Sequence, residues 1–371
     1  MAAPLYIIPL ITCAVLYFGF QPQIGLLAYA CILLGGCALI GLMHWLMALS
    51  RRSCNEFLGT FVTQISYEDP WTERVERTET KTDSNGKTYT VKKVEYVHHS
   101  ESISFYTQLG SIHFCYSGFF ASVRDFWGAP RHNDVWHGSN IVGGARYGHH
   151  YVFHEACCGY GGLRSKCVPV TEEHSYENRI RNSNSIFRFE KVTKQEAEQE
   201  GLYEYPEMDD DYDVPAVLSA AYPVSYETDM EYRLFNALDA PERQMRLFVL
   251  IYDETTDVST AERQRAYWKG GNKNELVVCI GVRKDRTVKW AHAFSWADEQ
   301  TLEVKAAQYL LRQPTLDLND FLEWFKSEYQ VWVRKEFKDF KYVSVPLTSG
   351  QLIAILITSL IENGLVLAFV R

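Results

Sequence analysis

The run Ile24 to Leu49, IGLLAYACILLGGCALIGLMHWLMAL, contains no formally charged residue and is closed by Arg51 and Arg52. A helix of about 20 apolar residues crosses a hydrocarbon core of about 30 Å, so this run predicts a membrane span. A soluble helix would be expected to show a polar face, and this one has none. Pro4 to Phe20 is a second apolar run, joined to the first by Gln21-Pro22-Gln23. No Lys or Arg precedes it and no A-x-A cleavage pattern follows, so it does not read as a signal peptide. Residues 1–50 are therefore predicted to form a transmembrane hairpin, its first helix shortened or kinked at Pro9. Leu347 to Val370 predicts a C-terminal transmembrane helix over 347–371, interrupted by Glu362-Asn363-Gly364. A carboxylate at that depth is costly unless it faces protein or water, which makes Glu362 and Asn363 candidates for an intramembrane contact. Gly35, Gly36 and Gly41 allow close approach on the second helix.

Outside the membrane the pattern changes. Trp71 to Val97 alternates polar and β-forming residues around Asp83-Ser84-Asn85-Gly86, which predicts a β-ribbon with a tight turn. Tyr89 and Val91 are out of phase with Val94 and Tyr96, so a bulge is expected at Lys92-Lys93. Residues 51–190 as a whole have short aromatic runs punctuated by glycine and no sustained helical period, a β-rich domain. Thr193-Lys194-Gln195-Glu196 has the spacing of a capping box. The rest of 191–240, with Asp209, Asp210, Asp211 and Asp213 among prolines, reads as a short helix and a solvated acidic linker.

Residues 241–345 are the most legible stretch. RLFVLIY (246–252), ELVVCIGV (275–282) and TVKWAHAFS (287–295) are apolar strands. Helices are expected from a capping box at Ser259-Thr260-Ala261-Glu262, from about Asp298 to Arg312, and from Leu318 onward. Strand, helix, strand, strand, helix, helix is an α/β sandwich. The whole chain is thus expected to be an α+β membrane protein.

With 371 residues, a net charge of -9 and 14% aromatics, the chain has enough apolar material for a real core and no basic excess for nucleic acid. Arg51, Arg52, Arg334, Lys335, Lys338 and Lys341 flank the middle region, against Arg371 alone on the other side. The positive-inside rule then places the soluble domains and the N-terminus in the cytoplasm of a multi-pass inner-membrane protein. The scattered cysteine spacing fits a reducing compartment.

Histidine and cysteine crowd one interval: His113, Cys115, His132, His137, His149, His150, His154, Cys157, Cys158, Cys167 and His174. From this set His150, His154, Cys157, Cys158, Cys167 and His174 are candidate zinc ligands, with Glu155 as a base. HYVFHEACC lacks the H-E-x-x-H order and no C-x-x-C pair is present, so packing of these residues in an aromatic β core is the competing reading.

Leu247 to Tyr252, YWKGGNKNELVVCIGV (267–282) and DRTVKW (285–290) together resemble the TPM domain of membrane-anchored proteins in bacteria and plastids, over about residues 241–343. The family's glycine-rich stretch after its third strand falls here on Ala293-Phe294-Ser295-Trp296, which has no glycine. SYENRIRNSNSIF resembles uncharacterised bacterial multi-pass membrane proteins. The resemblance implies an assembly or quality-control factor for membrane complexes, or a phosphatase, and an extracytoplasmic domain. Taken together, an interaction protein (an assembly, scaffold or defence-type component) with a protein partner or a second copy through its transmembrane helices is the leading expectation. A metal-dependent hydrolase using the 113–174 region, or a TPM-type phosphatase, is the alternative.

Overall fold

The computed structural model describes residues 3–20, 25–84, 86–128, 132–136, 140–143, 146–152, 164–185, 189–220, 222–298 and 300–369. In chain order the elements are α1 (Ile7–Phe20), α2 (Leu26–Arg52), β1 (Ser53–Glu68), β2 (Trp71–Thr82), β3 (Thr88–His99), β4 (Ser102–Thr107), β5 (Ile112–Phe114) and α3 (Ser117–Trp127). Then come β6 (His132–Trp136), β7 (Ile141–Gly143), β8 (Arg146–Val152), β9 (Pro169–Glu177), α4 (Lys194–Gln199), β10 (Val217–Ser219) and α5 (Tyr226–Leu234). The last are β11 (Arg246–Tyr252), α6 (Val258–Tyr267), β12 (Glu275–Val282), β13 (Val288–Ser295), α7 (Thr301–Arg312), α8 (Leu318–Glu328) and α9 (Ser349–Phe369).

Among the described residues, α2 and α9 are long and apolar enough to cross a membrane, and Pro4–Gly19 is a shorter apolar helix. Pro9 sits in the first turn of α1, where its missing N–H leaves no intrahelical bond unmade. The three helices pack together around Leu16, Ile40 and Ile355, all without solvent exposure. Gly36 lets α1 and α2 touch, since a Cβ there would lie 2.8 Å from the Pro9 ring. Their outer faces are apolar and uncovered, with Phe18 85%, Leu26 88% and Phe369 87% exposed.

β1 follows α2 without a break and organises the middle region. Its first half pairs with β9, Ser53 opposite Glu177 through Phe61 opposite Pro169. Its second half lies between β4 and β8 in an antiparallel sheet of order β5-β4-β1-β8-β6. Val62, Ile65, Phe105 and the α3 residues Phe119, Phe120 and Val123 fill the core on that sheet.

The ribbon of β2 and β3 pairs from Trp71–His99 to Thr82–Thr88 in one unbroken register, so the bulge expected at Lys92-Lys93 is absent. The reason is that both faces lie in water. Val94 and Tyr96 simply point opposite to Tyr89 and Val91, and no buried face demands one phase.

The α/β region has the expected element order, with one strand more. β10, β11 and β12 run parallel and β13 closes the sheet antiparallel to β12. Leu247, Val249 and Ile251 face α7 and α8, while Phe248, Leu250 and Tyr252 face α6, Trp268 and, from β1, Phe57. The α6 N-cap is Asp257, which accepts from the Ser259 amide, two residues earlier than the capping box read at Ser259. The Thr193 capping box on α4 has both of its bonds.

The stretch 191–240 is not a solvated linker. It supplies β10 and α5, and Asp213 is only 3% exposed. The physical reason is a buried cation, described next.

Candidate functional site

The α/β sheet meets β1 and β9 through buried polar groups. Arg246, the first residue of β11 and wholly buried, donates to Thr171 Oγ1 (3.0 Å) and to the Val214 carbonyl (2.8 Å), with Asp213 Oδ1 at 3.6 Å. Asp213 also accepts from Thr171 at 2.5 Å and lies 3.7 Å from Arg233. Burial pulls the Arg246 guanidinium down, and Asp213 opposes that. Glu275, the first residue of β12, accepts from the Tyr205 hydroxyl and from the amide and side chain of Asn272 (2.8 and 2.9 Å). Burial raises its carboxyl above the usual range against those bonds. Because Arg246 needs a carboxylate, Asp213 is drawn inside, while Asp210 and Asp211 stay exposed.

Ligands of open α/β sheets bind outside the carboxyl ends of the parallel strands. Here a cleft of about 570 Å³ lies at that edge, between the turn after β11 (Asp253–Thr256) and the turn between β12 and β13 (Arg283–Arg286). Each turn is built by an aspartate. Asp253 Oδ1 accepts from the Thr255 amide (2.9 Å) and hydroxyl (2.5 Å); Asp285 Oδ1 does the same for Thr287 (3.0 and 2.6 Å). Those Thr255 bonds, with a smaller effect from Lys289, hold Asp253 below the usual carboxylate range. Arg286 sits in the left-handed region (φ 68°) and donates to the Tyr222 hydroxyl at 2.5 Å while stacking over its ring. Lys284 pairs with Glu254 at 3.0 Å. One lip is anionic, the other cationic, and Tyr252 and Val282 form the floor. Each charge already has a partner, so the cleft offers exchangeable hydrogen bonds and charge complementarity. It is equipped for recognition. Asp285 and Arg286, two of the residues on which the TPM resemblance rests, lie at this edge.

The histidine and cysteine candidates fall into separate settings. His150 on β8 faces Ser66, with Nδ1 2.9 Å from Ser66 Oγ and 3.2 Å from Gln64 Nε2. Cys167 is buried beside Phe61 and Leu234, and burial pushes its thiol up to about 12. His174 on β9 has Nε2 3.5 Å from Glu172 Oε2. His154, Cys157 and Cys158 lie outside the described residues. Among the described residues no three His, Cys, Asp or Glu side chains are grouped to hold a metal.

What sequence reasoning missed is Glu172. Its buried carboxylate accepts from Thr107 and from Ser111 (2.8 Å), with His113 Nε2 at 3.7 Å and His174 at 3.5 Å. Burial works against ionisation, yet the two hydroxyls and the histidines outweigh it and hold Glu172 below the usual range. Glu172 is the last of four consecutive buried residues of β9, and its hydroxyl partners come from 107–111, a distance in sequence that no local signal reports.

In the helical bundle, Asn363 is 4% exposed and donates to the Ser359 carbonyl at 2.7 Å. Glu362 is half-buried. It accepts from Asn363 at 3.2 Å, and its Oε2 lies 3.6 Å from where a Cβ on Gly36 would stand. No family model matches the chain, and neither a curated protein nor a solved structure matches it.

Proposed function

We propose that this chain is an integral membrane protein of the bacterial inner membrane that acts through protein–protein interaction, as an assembly or scaffold component. The observation that carries this reading is the β2–β3 ribbon. Among the described residues its pairs from Glu76–Val94 outward have no third strand, since β7 pairs with Thr72 and Glu73 at its base and Asn140 accepts from the Arg74 amide. An isolated two-stranded hairpin is marginal in water, so this arm adds little to the core and offers two faces and two edges to a partner. Arg77–Glu95 (3.1 Å) and Lys93–Glu95 (3.0 Å) salt bridges keep those edges charged, which disfavours indiscriminate strand pairing.

The membrane reading is supported by the uncovered apolar faces of α1, α2 and α9, and by Arg51 and Arg52 at the end of α2. With the basic residues on that side, the soluble mass is cytoplasmic in this reading. Glu362 and Asn363 lie at the chain's own three-helix contact, so a second association surface within the bilayer, to another copy or to a membrane partner, falls on the uncovered apolar faces of these helices.

The test is site-specific photocrosslinking of the full chain in native membranes from Tyr89 and Tyr96, with Val304 on α7 as an exposed control site. Discrete adducts at the ribbon that vanish when residues 76–94 are replaced by a short turn are expected. The same diffuse pattern from the ribbon and from Val304 would sink the reading.

A further inference from the structure

One edge of the sheet β5-β4-β1-β8-β6 is the strand β5. Thr107 donates its amide to the Ser111 carbonyl (3.1 Å), and Cys115 donates its amide to the Ile103 carbonyl (3.0 Å). Antiparallel partners alternate between bonded and non-bonded pairs. His113 opposite Phe105 therefore bonds inward, and the amides and carbonyls of Ile112 and Phe114 point away from β4. Among the described residues no strand pairs with β5 on that side.

The side chains of this edge are apolar. Directly opposite residues share a face, so His113 turns with Phe105 toward the core, where the two rings stack at 5.0 Å. Ile112 and Phe114 turn to the other face and are 58% and 78% exposed. Among the described residues outside α1, α2 and α9, no large hydrophobic side chain is more exposed than Phe114. Sheet edges are commonly blunted by charge, proline or a bulge. The ribbon follows that rule with its salt bridges. Ser111 to Cys115 contains no formally charged residue and no proline, so shortness is the one protection β5 has.

The end of β5 adds a charge preference. Tyr116 donates its hydroxyl to the Asp210 carbonyl (2.7 Å) and its amide to the Tyr212 hydroxyl (3.3 Å), which ties the turn 209–212 to the end of the strand. Asp210 and Asp211 in that turn are exposed. Arg233 is engaged by Asp209 (2.6 Å) and Asp229 (2.8 Å), and among the described residues no Lys or Arg pairs with Asp210 or Asp211.

We infer that β5 is an acceptor edge for an extended segment of a partner protein, added antiparallel. The segment carries apolar side chains opposite Ile112 and Phe114, and a basic residue N-terminal to them beside Asp210 and Asp211. In strand addition the main-chain bonds supply affinity and the alternate side chains supply the choice of partner. Antiparallel pairing continues the pattern of β4 and β5 and is the slightly more stable kind. Because the added strand runs against β5, its N-terminal end lies at Tyr116. The site is separate from the ribbon and needs no bilayer, so it stands or falls apart from both of those readings.

The probe is a peptide, Arg-Thr-Val-Thr-Val-Thr, labelled with fluorescein at its C-terminus and followed by anisotropy against the full chain in nonionic detergent, with empty micelles subtracted. Saturable binding is expected. In the antiparallel pairing the valine amides face β5 and the amide of the threonine between them faces away. Methylating both valine nitrogens should weaken binding about tenfold, the effect of losing two main-chain bonds, and methylating that threonine nitrogen should change it less than about twofold. Glutamate in place of the arginine should weaken binding several-fold, a preference that disappears when Asp210→Asn and Asp211→Asn are combined. Phe114→Pro removes an outward amide that no described residue uses, so binding should fall about tenfold with little change in Tm. If that variant unfolds early, Phe114→Thr keeps the amide and should weaken binding several-fold through the lost apolar contact. No saturable binding, equal binding of the valine-methylated peptide, or full binding by a folded Phe114→Pro or Phe114→Thr chain overturns the site.

Discussion

Two pairs of neighbouring strands in this molecule are held by opposite means. β11 and β12 are buried at every position, and their register is enforced by apolar side chains on both faces. β2 and β3 have at least as long a register, but no residue of either is buried, and only cross-strand pairs and backbone bonds hold them. The comparison teaches that strand content says little about where stability resides. In the α/β sheet, each substitution acts on a packed core and on buried charges; in the ribbon it acts on solvent-exposed pairs worth about 0.2–1 kcal/mol. Buried core pairing and solvent-exposed pairing are thereby kept on different strands.

The largest effect expected from this contrast is at Arg246. Arg246→Leu takes the guanidinium away from buried Asp213, which keeps only Arg233 at 3.7 Å, and breaking a buried pair from one side costs about 3–5 kcal/mol. Denaturant unfolding of the full chain in detergent measures it. The matching change on the ribbon, Arg77→Leu, removes an exposed pair with Glu95 and should cost less than about 1 kcal/mol. Equal losses at the two sites would break the comparison.

Next comes the seam between β1 and the α/β region. A Cβ on Gly59 would stand 2.0 Å from the Asn236 carbonyl oxygen, and that backbone cannot rotate away. Asn236 is itself bonded to both the amide (2.8 Å) and the carbonyl (3.0 Å) of Leu247. Gly59→Ala should therefore cost about 1–3 kcal/mol through overpacking. Thermal unfolding with probes in both sheets should show the two melting together in the parent chain and apart in the variant.

A pH-dependent effect of comparable size is expected at Glu172. Its carboxyl is held below its ordinary 4.5, so its contribution is fully present above that pH and is lost as pH falls through the lower folded value. Thr107→Val removes a hydroxyl bond to the carboxylate, worth about 1.5–3 kcal/mol when ionised. Unfolding measured at pH 7 and again below pH 4 should show the parent's advantage shrinking toward acid. An advantage that grows on acidification would contradict the geometry around Glu172. The smallest effect is Tyr96→Thr on the ribbon: at 58% exposure it should change stability by less than about 0.5 kcal/mol while weakening any partner adduct.

Several parts of the fold are legible in the amino-acid sequence. The apolar runs of α2 and α9, the strand ELVVCIGV, the capping box at Thr193 and the helical period from Leu318 all depend on neighbours within a few residues. The ribbon is legible too, because Asn-Gly turn chemistry and alternation are local. The bulge expected within it fails on the same local logic, which assumes that one face has to be buried. The acidic segment 209–213 misleads for the opposite reason. Four carboxylates among prolines look like a solvated linker until Arg246 and Arg233, farther along the chain, are brought against Asp213 and Asp209.

The sequence by itself determined the periodic elements, the apolar helices that can span a bilayer and the order of elements in the α/β region. Tertiary structure alone decided that β10 completes the sheet, that β1 serves two pairings along its length, and that Glu172 is met by Thr107 and Ser111. The division has one cause. Periodicity and capping are set within a turn or two of the chain, whereas burial of a charge depends on which distant partner closes over it, and that is settled only when the sheets assemble.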